Sequence, residues 1–299
     1  MKPSHLSDRL VIINADDLGI TRSTNQSIVE LFQERCITSA SIMMPCSAAY
    51  EAAKLCNQTH SANIGVHLTL TSAGNHDCKP VFRKRILKSL ITKEGYFPHD
   101  ASAVELNADS EEVRIELEAQ IQMAVSHGIE PTHLDSHAGS IMGLHHGRDF
   151  LEIVFDLCEK FGLPFNLPLR TIEQPFFSSA QKELFAKRIE SAKSRGILLI
   201  DDLIALPYHS APDEGYDDIK KELMNQIINL RPGITQIVAH PSIATPELIS
   251  FTPHYKKREM EYRLFRDPEI KERFQKENIQ LISWRFIRDI QRKTGKEWL

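Results

Sequence analysis

Seven or eight times in 299 residues, a short apolar stretch of strand length gives way to an amphipathic stretch of helix length. Residues 9–15, 38–44, 63–70, 131–137, 165–169, 197–206, 235–239 and 279–284 read as strands, rich in apolar and β-branched residues. Helical spacing fills 23–35, 48–56, 110–127, 148–161, 179–195, 215–230 and 256–277, with a short helix at the C-terminus. The 256–277 helix is charged enough to be simply exposed. Parallel strands need crossover connections, so this alternation predicts a distorted (β/α) TIM-like barrel of seven or eight βα units. A single domain over 1–299 is expected, with an irregular insertion at about 72–109 that holds one short helix near 85–91. An irregular stretch of that length inside a folded unit is usually functional or mobile.

The strands end in unusual residues. Asn14-Ala15-Asp16-Asp17 closes the first, His67 the third, His133-Leu134-Asp135-Ser136-His137 the fourth and His240-Pro241 a later one. In a (β/α) barrel these ends converge on one rim, where distant residues meet around one site. Side chains alternate along a strand, so His133, Asp135 and His137 should share a face. Such a row is either a ligand or catalytic set, or a hydrogen-bonded polar layer in the core. Asp16 and Asp17 would point to opposite faces while the strand persists, but a turn at Leu18-Gly19 swings both toward one site. One carboxylate then holds a cation and the other takes a proton from water; the alternative is an ordinary turn or helix N-cap. His67 and His240, each flanked by apolar residues, read as core histidines or as members of the same rim. Acids and imidazoles without cysteine suit Mg²⁺ or Zn²⁺ first, with Mn²⁺ or Co²⁺ as alternatives.

Other chemistries lack their residues. There is no Gly-x-Gly-x-x-Gly and no Gly-x-Ser-x-Gly, which disfavours dinucleotide binding and a serine nucleophile elbow. A net charge of −4 and no basic arm argue against nucleic acid as a partner. The longest apolar runs are far short of a membrane span. The polar first ten residues lack the apolar run of a secretory signal, and five cysteines without Cys-x-x-Cys do not make a disulfide framework. A cytoplasmic protein is expected; a homodimer is left open.

At these strand ends the chain resembles the YdjC-like carbohydrate deacetylases. The matching stretches are Val11 through Gly19, Thr38-Ser39-Ala40-Ser41, Ile64-Gly65-Val66-His67-Leu68, Pro131 through His137 and Val238-Ala239-His240-Pro241. The resemblance implies a barrel holding one divalent ion and removing an N-acetyl group from an acetylated amino sugar or oligosaccharide, with release of acetate. It implies Asp17, His67 and His137 as metal ligands, Asp16 as general base, and His240 as general acid or oxyanion partner. Asn14, His133, Asp135 and Pro241 are expected to orient these groups or touch substrate. A hydrolase of another amide or of a phosphoester, and a sugar-binding protein without turnover, are the alternatives. In better-known relatives the fourth-strand motif continues into further histidines; here it reads Ala138-Gly139-Ser140-Ile141-Met142-Gly143. His145-His146 are expected in a solvated loop or helix start, or else as replacements for those imidazoles.

Overall fold

The first strand, β1 (Arg9–Leu18), is buried on both faces from Leu10 onward, which is why it reads as an apolar run without alternation. In the computed structural model, which describes residues 8–59, 62–208 and 214–294, β1 stands at the centre of a parallel sheet. The polar stretch 1–7 lies outside the described residues. The remaining strands are β2 (Ser39–Ile42), β3 (Ile64–Leu68), β4 (Leu134–Ser136), β5 (Asp202–Ala205), β6 (Gly233–Ala239) and β7 (Gln280–Leu281). Their order is β4-β3-β2-β1-β6-β5, with β7 paired to the start of β1.

The gap between β4 and β5 is spanned by irregular backbone. Leu134 exchanges bonds with Pro164 and Asn166, and Leu169 N–H and Arg170 N–H donate to Ile200 and Asp201. Asp201 N–H in turn donates to Ile234 of β6. The sheet thus curls into a distorted barrel. The strand expected at 165–169 is reduced to a single bridge between Phe165 and Leu134. Pro164 precedes it and Pro168 lies within it, and proline has no N–H to give a ladder.

Helices α1 (Arg22–Gln33), α2 (Ala49–Asn57), α4 (Ser110–Ser126), α5 (Leu151–Phe161), α6 (Ser179–Ser194) and α7 (Tyr216–Ile228) fall where periodicity put them. Side-chain caps start several: Thr21 on α1, Asp109 on α4, and a Ser178–Gln181 capping box on α6. Two short helices were not expected, α3 (Ala101–Asn107) and α8 (Pro246–Phe251). The single helix expected at 256–277 is two, α9 (Tyr255–Arg266) and α10 (Pro268–Lys276). Pro268 breaks the run, and Asp267 caps the new start by accepting from Glu269 N–H. Nor is α9 simply exposed, because its Lys257, Arg258 and Glu261 are buried. A C-terminal helix, α11 (Trp284–Thr294), completes the chain.

Alternation along β1 sorts its side chains. Leu10 and Ile12 join Ile200, Ile282 and Trp284 in an inner apolar cluster, while Val11, Ile13 and Ala15 join the outer core under the helices. Continuing the inner face upward gives Asn14 and Asp16. Trp284 plugs the barrel, fully buried, with Nε1–H donating to Gln236 Oε1 at 2.6 Å and its ring stacked on His133 at 4.7 Å. Burying a ring of roughly 200 Å² is worth up to about 5 kcal/mol.

The insertion is irregular up to α3, which lies at its end, and it is tied to α4 by hydrogen bonds. Buried Glu116 of α4 accepts from Val81 and Phe82 N–H, and Glu112 accepts from Ser89 N–H and Oγ–H. Its short helix is one 3₁₀ turn, Lys88–Leu90. No helix among the described residues is long and apolar enough to cross a membrane.

Candidate metal centre and active site

The register between β1 and β2 slips between Ala15 and Leu18, and Asp17 sits in the left-handed region at φ 67°. A non-glycine residue there is uncommon, and aspartate is among those that tolerate it best. The slip breaks the alternation that would have sent the two carboxylates to opposite faces. Both Asp16 and Asp17 therefore reach the same site, and Gly19 at φ 103° carries the chain out of the strand.

Three donors converge. Asp17 Oδ1 lies 3.7 Å from His67 Nε2 and 3.5 Å from His137 Nδ1, and one atom from each residue falls within 4.8 Å of the others. Ligands on one tetrahedral zinc at about 2.05 Å sit roughly 3.3 Å apart, so the spacing fits a divalent ion with little adjustment. His137 is not in β4, as alternation proposed, but in the 3₁₀ turn that follows it. The turn, with Ala138 at φ 49°, brings its ring within 5.3 Å of the His67 ring. Among the described residues a second acidic and imidazole group, Asp16, His67 and Asp135, shares His67.

Supporting contacts fix each member. Asp16 Oδ1 accepts from Asn14 Nδ2 at 2.6 Å and from Ser41 Oγ at 3.4 Å. Asp135 Oδ1 lies 2.8 Å from His67 Nδ1, and Asp135 Oδ2 lies 3.6 Å from His133 Nε2. His133 is fully buried, and Gly65 makes room for it: a Cβ there would lie 2.3 Å from His133 Cε1. His240 is partly buried. Its N–H donates to Glu261 Oε2 at 2.5 Å and its ring meets Tyr208 edge-on at 5.3 Å.

Electrostatics separates the two adjacent carboxyls. Burial, aided by the charges of Asp135 and Asp17, pushes Asp16 up to about 7 against the pull of His67. Burial would raise Asp17 too, but Arg258 and the imidazoles outweigh it and hold Asp17 well below the carboxylate range. His67 is driven the other way. Burial disfavours its charge, yet Asp135, Asp16 and Asp17 together raise it to about 10. Three carboxylates around one imidazole are a surplus of negative charge that a cation or a proton must balance. Burial, reinforced by Arg258, lowers His240 to about 4, so it is neutral at physiological pH.

Sequence reasoning singled out neither Arg258 nor Glu261 and gave Ser41 no role; no strand-end signal marks the first two. His145 and His146 stay outside the site. Their main-chain N–H groups donate to buried Glu105 and both residues are exposed. Beyond the rim, a cleft of about 530 Å³ lies between the β2–α2 turn and the insertion, lined by His76, Lys79, Arg83 and Tyr96 among others. Of the insertion's aromatics, Phe97 is buried, whereas Tyr96 faces this cleft with Lys79 over its ring.

The profile of the YdjC-like protein family matches residues 10–276. A carbohydrate deacetylase of Thermoanaerobacter pseudethanolicus is 28% identical over 285 residues, 94% of this chain and 100% of that protein. A chitooligosaccharide deacetylase of Yersinia enterocolitica is 34% identical over 168 residues, 54% of this chain and 59% of that protein. A solved structure from Enterococcus faecalis, provisionally described as a cellobiose-phosphate cleavage protein, superposes with a TM-score of 0.76 at 25% identity. That superposition covers 94% of this chain and 99% of the other.

Proposed function

The chain belongs to the YdjC-like family, and on that premise we propose that it is a metal-dependent hydrolase that removes the acetyl group from an N-acetylated amino sugar. The observation that carries this reading is the bulge at Asp17. It turns Asp17 toward His67 and His137 beside a second, separately held carboxyl, Asp16.

Asp17, His67 and His137 would hold a divalent ion. When bound, the ion supplies Lewis acidity, polarising a carbonyl and acidifying water. Asp16, poised near neutrality and oriented by Asn14 and Ser41, accepts the proton of the attacking water. His240 enters neutral, so it serves first as a hydrogen-bond donor to the developing oxyanion. The proton that Asp16 takes from water is then delivered to the departing amine, with His240 steadying the oxyanion until the carbon–nitrogen bond breaks. The carbon–nitrogen bond breaks, leaving acetate and a free amino sugar. Pro241 follows His240 directly and limits the backbone freedom of that turn. The cleft lined by Tyr96 and the insertion is where the rest of the sugar would rest, since its walls combine aromatic side chains, Tyr96 and Phe251, with polar ones.

Acetate release, measured across a panel of N-acetylated mono- and oligosaccharides after chelation and reconstitution with Zn²⁺ or Mg²⁺, tests the reading. Metal-dependent acetate from at least one of them is the expected result. Phosphate release from a phosphoester instead, or no acetate from any member with the ion bound, would contradict it.

A further inference from the structure

Arg258 comes from α9, 241 residues along the chain from Asp17, and its guanidinium is buried beside the candidate site. Its Nη2 lies 2.6 Å from Asp17 Oδ2 and 3.0 Å from the Tyr208 hydroxyl. The other oxygen of the same carboxylate, Oδ1, is the one that faces His67 and His137. The two oxygens are thus divided between a cationic side chain and the imidazole pair. A purely structural arginine would spread its donors over several acceptors. Here Nε and Nη1 are buried and have no hydrogen-bond partner among the described residues, and leaving buried donors unpaired costs free energy. The helix is tied down independently of this side chain: Ser242 N–H donates to Arg258 O, and Glu261 accepts from His240 N–H. Anchoring α9 does not need the guanidinium.

We infer that Arg258 is a positioning residue for the cation site, reserving one oxygen of Asp17 so that the carboxylate meets an ion through Oδ1 alone. The inference rests on the reading above, that Asp17, His67 and His137 hold a divalent ion. Its physical consequence has a definite sign. A fixed positive charge one carboxylate away opposes a cation, and it also keeps Asp17 from closing around the ion with both oxygens. Removing that charge therefore tightens cation binding while it removes an open position that water or substrate would use.

Zn²⁺ affinity of the metal-free protein, measured by competition with a chromophoric chelator, reads this directly, alongside kcat and KM. Arg258→Gln, neutral and too short to keep the contact with Oδ2, should bind Zn²⁺ about 10-fold more tightly. Its kcat should fall about 10-fold or more with KM changed far less. Arg258→Lys keeps the charge but not the planar fork, so its Zn²⁺ affinity should stay within about threefold of wild type while kcat drops. A folded Gln variant that binds Zn²⁺ equally or more weakly overturns the inference. If the Gln variant does not fold, the Lys variant decides: parallel loss of Zn²⁺ affinity and kcat would make Arg258 a scaffold residue. A wild-type protein that binds no Zn²⁺ would instead sink the underlying reading of the site.

Discussion

Asp135 Oδ1 lies 2.8 Å from His67 Nδ1, which leaves His67 Nε2 directed at Asp17 Oδ1, 3.7 Å away. On the proposed reading the carboxylate would fix the tautomer when an ion is bound, with Nδ1 donating and Nε2 left for the ion. Asp135→Ala should therefore weaken cation binding about 10–100-fold. Asp135→Asn should cost less, because the amide oxygen still accepts the Nδ1 proton. Titration with Zn²⁺ checks both, and unchanged affinity in the Ala variant would contradict the orienting role.

On the proposed mechanism, Asp16 should carry the pH dependence of turnover. A general base must be ionised, so kcat/KM should rise with pH through the pKa of Asp16 and then level. That pKa is about 7 without an ion, and a nearby cation lowers it, so the acidic limb should have its midpoint at or below neutrality. Asp16→Asn should keep the ion yet lose about 10²–10⁴ in kcat. A pH–rate profile of the variant that retains both the limb and the rate would remove Asp16 from its role.

Both carboxylates were legible as strand-end residues, but their meeting was not fixed by the two-residue period of a strand. It depends on the bulge, and nothing in Asn14-Ala15-Asp16-Asp17 dictates a left-handed Asp17. The resemblance pointed to Asp17, His67 and His137 as one group; the three lie together, with His137 reaching the group from a turn instead of the strand. Arg258 and Glu261 were hidden for a plain reason. On a helix rich in Lys, Arg and Glu, sequence offers no way to separate charges facing solvent from those facing a site 241 residues away. The degenerate strand at 165–169 was apolar enough to read as a strand, while Pro164 and Pro168 carried the contrary signal. The break in 256–277 was legible too, in Asp267-Pro268, as was α8 in Thr245-Pro246-Glu247.

Glu116 links the insertion to pH-dependent stability. Burial raises its carboxyl to about 7, against an ordinary value of 4.5, although Gln120 and the Phe82 and Val81 N–H groups favour the charged form. In the window between those values the unfolded chain has released the proton and the folded protein still holds it. Stability from this group is therefore fully present below about 4.5 and is lost as pH rises through about 7, by up to about 3 kcal/mol. Glu116→Gln should abolish that component. Urea denaturation of both proteins at pH 4.5 and 8 would show it as a difference that changes between the two conditions; a constant difference would contradict it.

Gly65 is held by space. A Cβ at that position would lie within 2.7 Å of three atoms of the His133 ring, which is itself stacked on Trp284. Gly65→Ala should cost about 1–3 kcal/mol by overpacking, read as a lower urea midpoint with unchanged slope. An unaltered midpoint would mean that the His133–Trp284 stack moves freely.

Metal content decides the central claim. Elemental analysis of purified wild type and of Asp17→Ala, His67→Ala and His137→Ala, each confirmed folded, should find about one divalent ion per chain in wild type and loss of that ion in every variant. Full occupancy in all three variants would show that these residues do not form the site.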